Sequence, residues 1–125
     1  MLAVKTQKQA GRVHFYCDQE DRDYLKWQLT SARKDHDHAF FVLGSNMDEI
    51  ETGEPQEMSC DFINIFTHAE EDGGSITESK SGYATVELFL TETTIDCLLE
   101  RLNAPHPTGE IPLRNSGIVL KLSSV

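Results

Sequence analysis

RKDHDHAFFVLG, residues 33–44, changes character halfway along. Arg33 and Lys34 suit the C-terminal end of a helix, where cations meet the negative end of the helix dipole. Asp35-His36-Asp37-His38 is a polar turn. Ala39–Leu43 is a continuous apolar run and predicts a strand buried on both faces. A helix thus ends and a core strand begins within one short stretch, so the two must pack as successive layers.

Upstream, Tyr24, Leu25, Leu29 and Ala32 fall at helical spacing and predict an amphipathic helix over 19–34. Asp18 offers its N-cap, and Asp21 lies in the first turn, where acids suit the dipole. Arg12–Cys17 alternates, with Val13, Phe15 and Cys17 on one face and His14 and Tyr16 on the other, as a half-buried strand should. Leu2–Thr6 offers a further strand. Downstream, 62–67 and 84–90 read as strands, the second with Ala84, Val86, Leu88 and Leu90 inward and Thr85, Glu87 and Phe89 outward. Ile95, Leu98, Leu99 and Leu102 predict a second helix over 93–103, stopped by Pro105. Gly117–Leu122 is the last predicted strand. The segments 45–60 and 70–82, rich in acids, glycine and serine, read as long loops, the usual seats of function. The expected architecture is a single domain over residues 1–125. It is an α+β two-layer sandwich, with two helices on one face of a mainly antiparallel sheet of about five to six strands. The order of elements resembles a ferredoxin-like pattern with an extra strand.

The net charge is −10. Residues 35–72 hold eleven acids and neither Lys nor Arg, while the flanks sum to +3 and −2. Such a surface repels nucleic acid and anionic membrane and steers a basic partner toward itself. The bland alternative is a solvated acidic face. There is no apolar run long enough to span a membrane and no signal-like start. Cys17, Cys60 and Cys97 are odd in number and form no CxxC pair, which argues for reduced thiols in a cytoplasmic protein and against a zinc finger.

Catalytic motifs are missing. No GxSxG occurs, and Gly73-Gly74 is followed by no phosphate-loop lysine. Cys17 precedes a helix, where a thiol can be acidified, but it also continues the inward face of Val13 and Phe15. No cofactor is expected. His36 and His38, with His14 and His68, form a metal or proton-transfer alternative. The competing reading makes 35–38 a hinge whose short polar side chains satisfy free backbone groups. For partner binding the candidates are Asp48, Glu49, Glu51, Glu54 and Glu57 in the first loop and Glu70, Glu71 and Asp72 in the second. Trp27 lies off the apolar stripe of its helix and would be the aromatic anchor.

The helix with Leu25 and Leu29, the turn Asp35-His36-Asp37-His38 and the strand Ala39-Phe40-Phe41-Val42 resemble the immunity proteins of bacterial toxin–immunity systems. The resemblance covers residues 12–44. The acidic stretch 46–57 departs from the pattern, so no binding residue is carried over. What the resemblance implies is an acidic inhibitor that occludes the cleft of a basic toxin, one acting on nucleic acid among the possibilities. Two rival expectations stand beside it: a small metal-binding domain or enzyme built on the histidines, and a structural homodimer joined at an open sheet edge.

Overall fold

The computed structural model describes residues 2–43, 57–80, 82–114 and 116–125. Among these, eight strands and two α-helices follow in order: β1 (Ala3–Gln7), β2 (Arg12–Cys17), α1 (Gln19–Lys34), β3 (His38–Val42), β4 (Met58–Phe66), β5 (Gly73–Glu78), β6 (Tyr83–Phe89), α2 (Glu92–Leu102), β7 (Gly109–Leu113) and β8 (Ile118–Ser124), with a single 3₁₀ turn at Lys8–Ala10 between β1 and β2. All eight strands belong to one sheet, in the order β5-β6-β4-β1-β2-β8-β7, with β3 also paired to β4. β4 serves two partners along one edge: Met58 and Ser59 face β1, and Phe62–Phe66 face β3. The β2–β8 and β4–β6 pairs are parallel, and the others are antiparallel.

The expected sandwich of five to six mainly antiparallel strands is therefore overturned. The sheet is mixed, has eight strands and curls into a half-barrel with the two helices. β5 lies inside the segment read as a loop. Only Ile76 of its six residues is buried, and Gly73-Gly74 imitate a turn signal. β7 carries Pro112 and runs at the sheet edge, the place where a missing N–H is tolerated. Parallel pairing leaves no local sequence mark, because partners distant in the chain need no shared turn.

Helix formation follows local chemistry. Asp18 accepts from the Asp21 N–H at 2.8 Å, and the Asp21 carboxylate accepts from the Asp18 N–H at 3.1 Å. The backbone bond holds the Asp18 carboxyl below its usual range, while burial pushes Asp21 up. α1 buries Leu25, Leu29 and Ala32 and packs on β2, β3 and α2. α2 buries Ile95, Leu98 and Leu102 and packs on β7. Phe15, Ile63, Ile65, Leu88, Leu90 and Leu120 complete the fully buried core. Each such side chain stabilises the fold by roughly 1.5–3 kcal/mol.

β3 also departs from expectation. Ala39 and Phe41 point inward, but Phe40 is 53% and Val42 66% exposed, so one face of the apolar run is open. In β4 the register shifts between Cys60 and Phe62, with Asp61 as the extra residue. The bulge resets the alternation and turns Phe62, Asn64 and Phe66 to the outer face.

Cys17 and Cys60 belong to the core. Burial pushes both thiols up to about 12, with nearby carboxylates adding to the rise. The neutral thiol is favoured in the fold, so the unfolded chain ionises first as pH climbs past the ordinary 9.0. This stability contribution is complete below that pH and is lost as pH rises toward 12. A thiol reagent at neutral pH is expected to label Cys97 rapidly and the other two only on unfolding. Rapid labelling of all three in the folded protein would contradict the burial.

Candidate functional site

Three polar clusters and one apolar face compete for a functional role. The first cluster lies on the outer face of β2 and β8. His14 Nδ1 meets Glu57 Oε2 at 2.8 Å, and His14 Nε2 meets Ser123 Oγ at 2.7 Å. Tyr16 donates its hydroxyl to the other Glu57 oxygen and stacks on His14 at 3.9 Å between ring centroids. Parallel register places Lys121 beside His14 and Ser123 beside Tyr16, while Lys5 of β1 faces His14 from the other side. The Ser–His–Glu order imitates a nucleophile relay. Its setting differs from one. The Glu57 side chain is fully buried and shared with Tyr16. The ladder from Val119 N–H to Gly11 O and Val125 N–H to Cys17 O engages the Ser123 amide too, so that amide cannot serve as an oxyanion donor. The cluster instead ties the residue before β4 to β2 and β8. Glu57, expected on a partner surface, is thus an interior clamp.

The second cluster is the turn 35–38. Asp35 is the C-cap of α1, and His36 follows in the left-handed conformation at φ 54°. The Asp37 N–H donates to Ala32 O at 2.8 Å and the His36 N–H to Arg33 O at 3.4 Å, the two bonds of a Schellman stop. The hinge reading of this segment thus has a specific geometry. His36 stacks on His68 at 4.1 Å, His68 Nε2 lies 2.8 Å from Arg33 O, and His38 Nδ1 lies 3.1 Å from Asp37. His14 sits apart, on β2. Among the described residues no three His, Cys, Asp or Glu side chains gather to hold a metal. A glycine normally occupies the position of His36, and a non-glycine residue there costs about 1 kcal/mol. His36→Gly is therefore expected to gain roughly 0.5 kcal/mol after loss of the ring stack. A thermal melt checks this, and a lower midpoint would show that the stack outweighs the backbone strain.

The third cluster is acidic. Glu70 and Glu71 are exposed and, with Asp72, line an open cleft together with Thr93, Cys97, Pro112 and Arg114. Asp72 is committed to structure. It accepts from the Thr91 N–H at 2.8 Å and from Thr94 Oγ1 at 2.6 Å, at the start of α2. Asp48, Glu49, Glu51 and Glu54 lie outside the described residues. Trp27 is 64% exposed on the outer side of α1. Tyr16, also expected outward, does lie on the outer face but is buried against Glu57.

The apolar face was hidden in the sequence. Cross-strand register over β3, β4, β6 and β5 lines up three rows: Val42-Phe62-Thr85-Thr77, Phe40-Asn64-Glu87-Ser75 and His38-Phe66-Phe89-Gly73. Phe40, Val42, Phe62 and Phe89 are each at least 40% exposed. Phe66 and Phe89 stack at 4.8 Å with planes 6° apart, and Phe40 and Phe62 at 6.0 Å and 16°. Contiguous exposed aromatics of this kind mark interaction surfaces on soluble domains. Of these, only Phe89 carried an outward signal in the alternation. The apolar run of β3 masked Phe40 and Val42, and the bulge reversed Phe62.

No family model matches this chain, and no curated protein matches it. No helix among the described residues is long and apolar enough to cross a membrane.

Proposed function

We propose that this chain is a protein-binding inhibitor of the immunity type, which docks on a basic toxin domain and occludes its cleft. The exposed aromatic face of β3, β4 and β6 carries the reading. Interface energy concentrates in a few central aromatic anchors, and surrounding charge sets association rate and orientation. The face supplies such anchors. Glu87, the bulge residue Asp61 and the exposed Glu70 and Glu71 supply acidic charge among the described residues. The anchor role moves from Trp27 to Phe40, Phe62 and Phe89.

The test compares the wild type with a Phe62→Ala/Phe89→Ala double variant as bait in its native lysate. A basic protein that the wild type retains, that elutes with salt and that the variant loses by about tenfold or more in affinity supports the proposal. Equal retention by both baits would sink it. So would a wild-type dimer that the variant converts to monomer in sedimentation, since the face would then serve self-assembly.

Ser123, His14 and Glu57 imitate a hydrolase triad whose setting disables it. A fluorophosphonate probe tests it. We expect Ser123 to remain unlabelled, and labelling lost in Ser123→Ala would revive the enzyme.

A further inference from the structure

We propose that the centre of the aromatic face is a socket for an arginine guanidinium from the partner, held by Asn64 and Glu87 between the phenylalanine pairs. The inference rests on the docking role proposed above and names the chemistry that the face selects.

The starting observation is an orphan. Asn64 Oδ1 is the one buried side-chain polar atom among the described residues without a hydrogen-bond partner. Buried acceptors are nearly always satisfied, and Asn64 is itself only half-buried, so a turn of its side chain brings this acceptor to the surface for a donor from outside. Asn64 stands in the middle row of the face, between Phe40 on β3 and Glu87 on β6. Glu87 is exposed, and none of the ion pairs between described residues includes it. Two acceptors, one of them anionic, therefore sit side by side on adjacent strands, about 4.8 Å apart at the backbone. A guanidinium offers N–H donors on more than one edge of a flat cation and can serve both.

The flanking rows decide between ligands. Phe66 and Phe89 form a near-parallel pair in the row on one side of Asn64, and Phe62, in the row on the other side, stacks with Phe40, which shares Asn64's own row. Planar cations stack on such rings, whereas an ammonium makes only a point contact. The three rows contain neither Lys nor Arg. Aromatic rows on a sheet also suit unstacked bases, but a nucleic-acid strand needs cations for its phosphates, and Glu87 would repel them. Charge and hydrogen-bonding capacity together select a cationic donor, and ring geometry selects arginine over lysine.

The probe is the capped peptide acetyl-Gly-Arg-Gly-amide, titrated into isotopically labelled protein. Its twin carries citrulline, which keeps the shape and loses the charge. The arginine peptide is expected to give saturable shifts at the Asn64 side-chain amide, Glu87 and the rings of Phe66 and Phe89. The citrulline twin should bind at least about fivefold more weakly. Glu87→Gln and Asn64→Leu, both on the outer face, should each weaken the arginine peptide to the citrulline level. Equal shifts from both peptides, or shifts unchanged by these substitutions, would overturn the socket. The two proposals fail separately. A partner whose affinity falls with Phe62→Ala/Phe89→Ala but not with Glu87→Gln or Asn64→Leu would leave the docking face and remove the socket. A specific arginine-peptide response without partner loss in the phenylalanine variant would keep the socket and remove the inhibitor role.

Discussion

Glu57→Ala is expected to destabilise the protein by about 3 kcal/mol. The carboxylate is wholly buried and holds two ring systems at once, accepting from the Tyr16 hydroxyl and bonding His14 Nδ1. Truncation removes one partner from each of them in an interior where His14 is 3% and Tyr16 4% exposed. Each lost charge-assisted bond costs on the order of 1–3 kcal/mol. A domain is stable by only about 5–15 kcal/mol, so the urea midpoint should move far while the slope stays unchanged. Glu57→Gln keeps an acceptor for Tyr16 and should lose about half as much. A loss below ~1 kcal/mol in Glu57→Ala would mean that water replaces the carboxylate, and the clamp would be a surface contact after all.

Gly11→Ala should be at least as damaging. Gly11 follows the short turn after β1 at φ 64°, and its carbonyl accepts from the Val119 N–H at 2.8 Å. A Cβ built there would lie 1.9 Å from the Gly117 carbonyl oxygen, which belongs to backbone and cannot swing away. The left-handed conformation costs about 1 kcal/mol in any L residue. The clash then forces β2 and β8 apart, for a total of about 3 kcal/mol or more. Gly117→Ala is the internal control. Its φ is 72°, but its Cβ would meet nothing within 4 Å, so it should cost only the backbone share, about 1 kcal/mol. Equal losses from the two substitutions would show that strain, not crowding, makes glycine necessary at 11.

What could be read from the chain, and what could not, divides along physical lines. Both helices were legible because their signals are local: the Asp18–Asp21 cap, the stripe of Leu25 and Leu29, and the stripe of Ile95, Leu98 and Leu102. β2 was legible because Val13, Phe15 and Cys17 all face one core. β5 was not, since an edge strand with one buried residue leaves almost no alternation to detect. The sheet became mixed because Arg12–Cys17 pairs with Val119–Ser124, a choice made by packing across nearly the whole chain. The site failed to show for the same reason. Phe40, Phe62 and Phe89 come from three strands, and only register brings them into neighbouring rows. Glu57 sat in an acidic run that looked uniformly solvated, and nothing in its neighbours distinguished the one carboxylate that turns inward.

The placement of β8 between β2 and β7 has a consequence for how the molecule comes into being. β2 leaves the ribosome long before its parallel neighbour, because most of the described chain lies between the two strands. Until then β2 has one open edge, and the inner face bearing Val13 and Phe15 lacks Leu120 and Leu122 beside it. Closing so long a loop is slow compared with making a hairpin. A nascent chain held before residue 118 therefore displays a pairing-competent strand, the kind of surface that chaperones shield and aggregates recruit. Synthesis must pass β8 before the sheet can close.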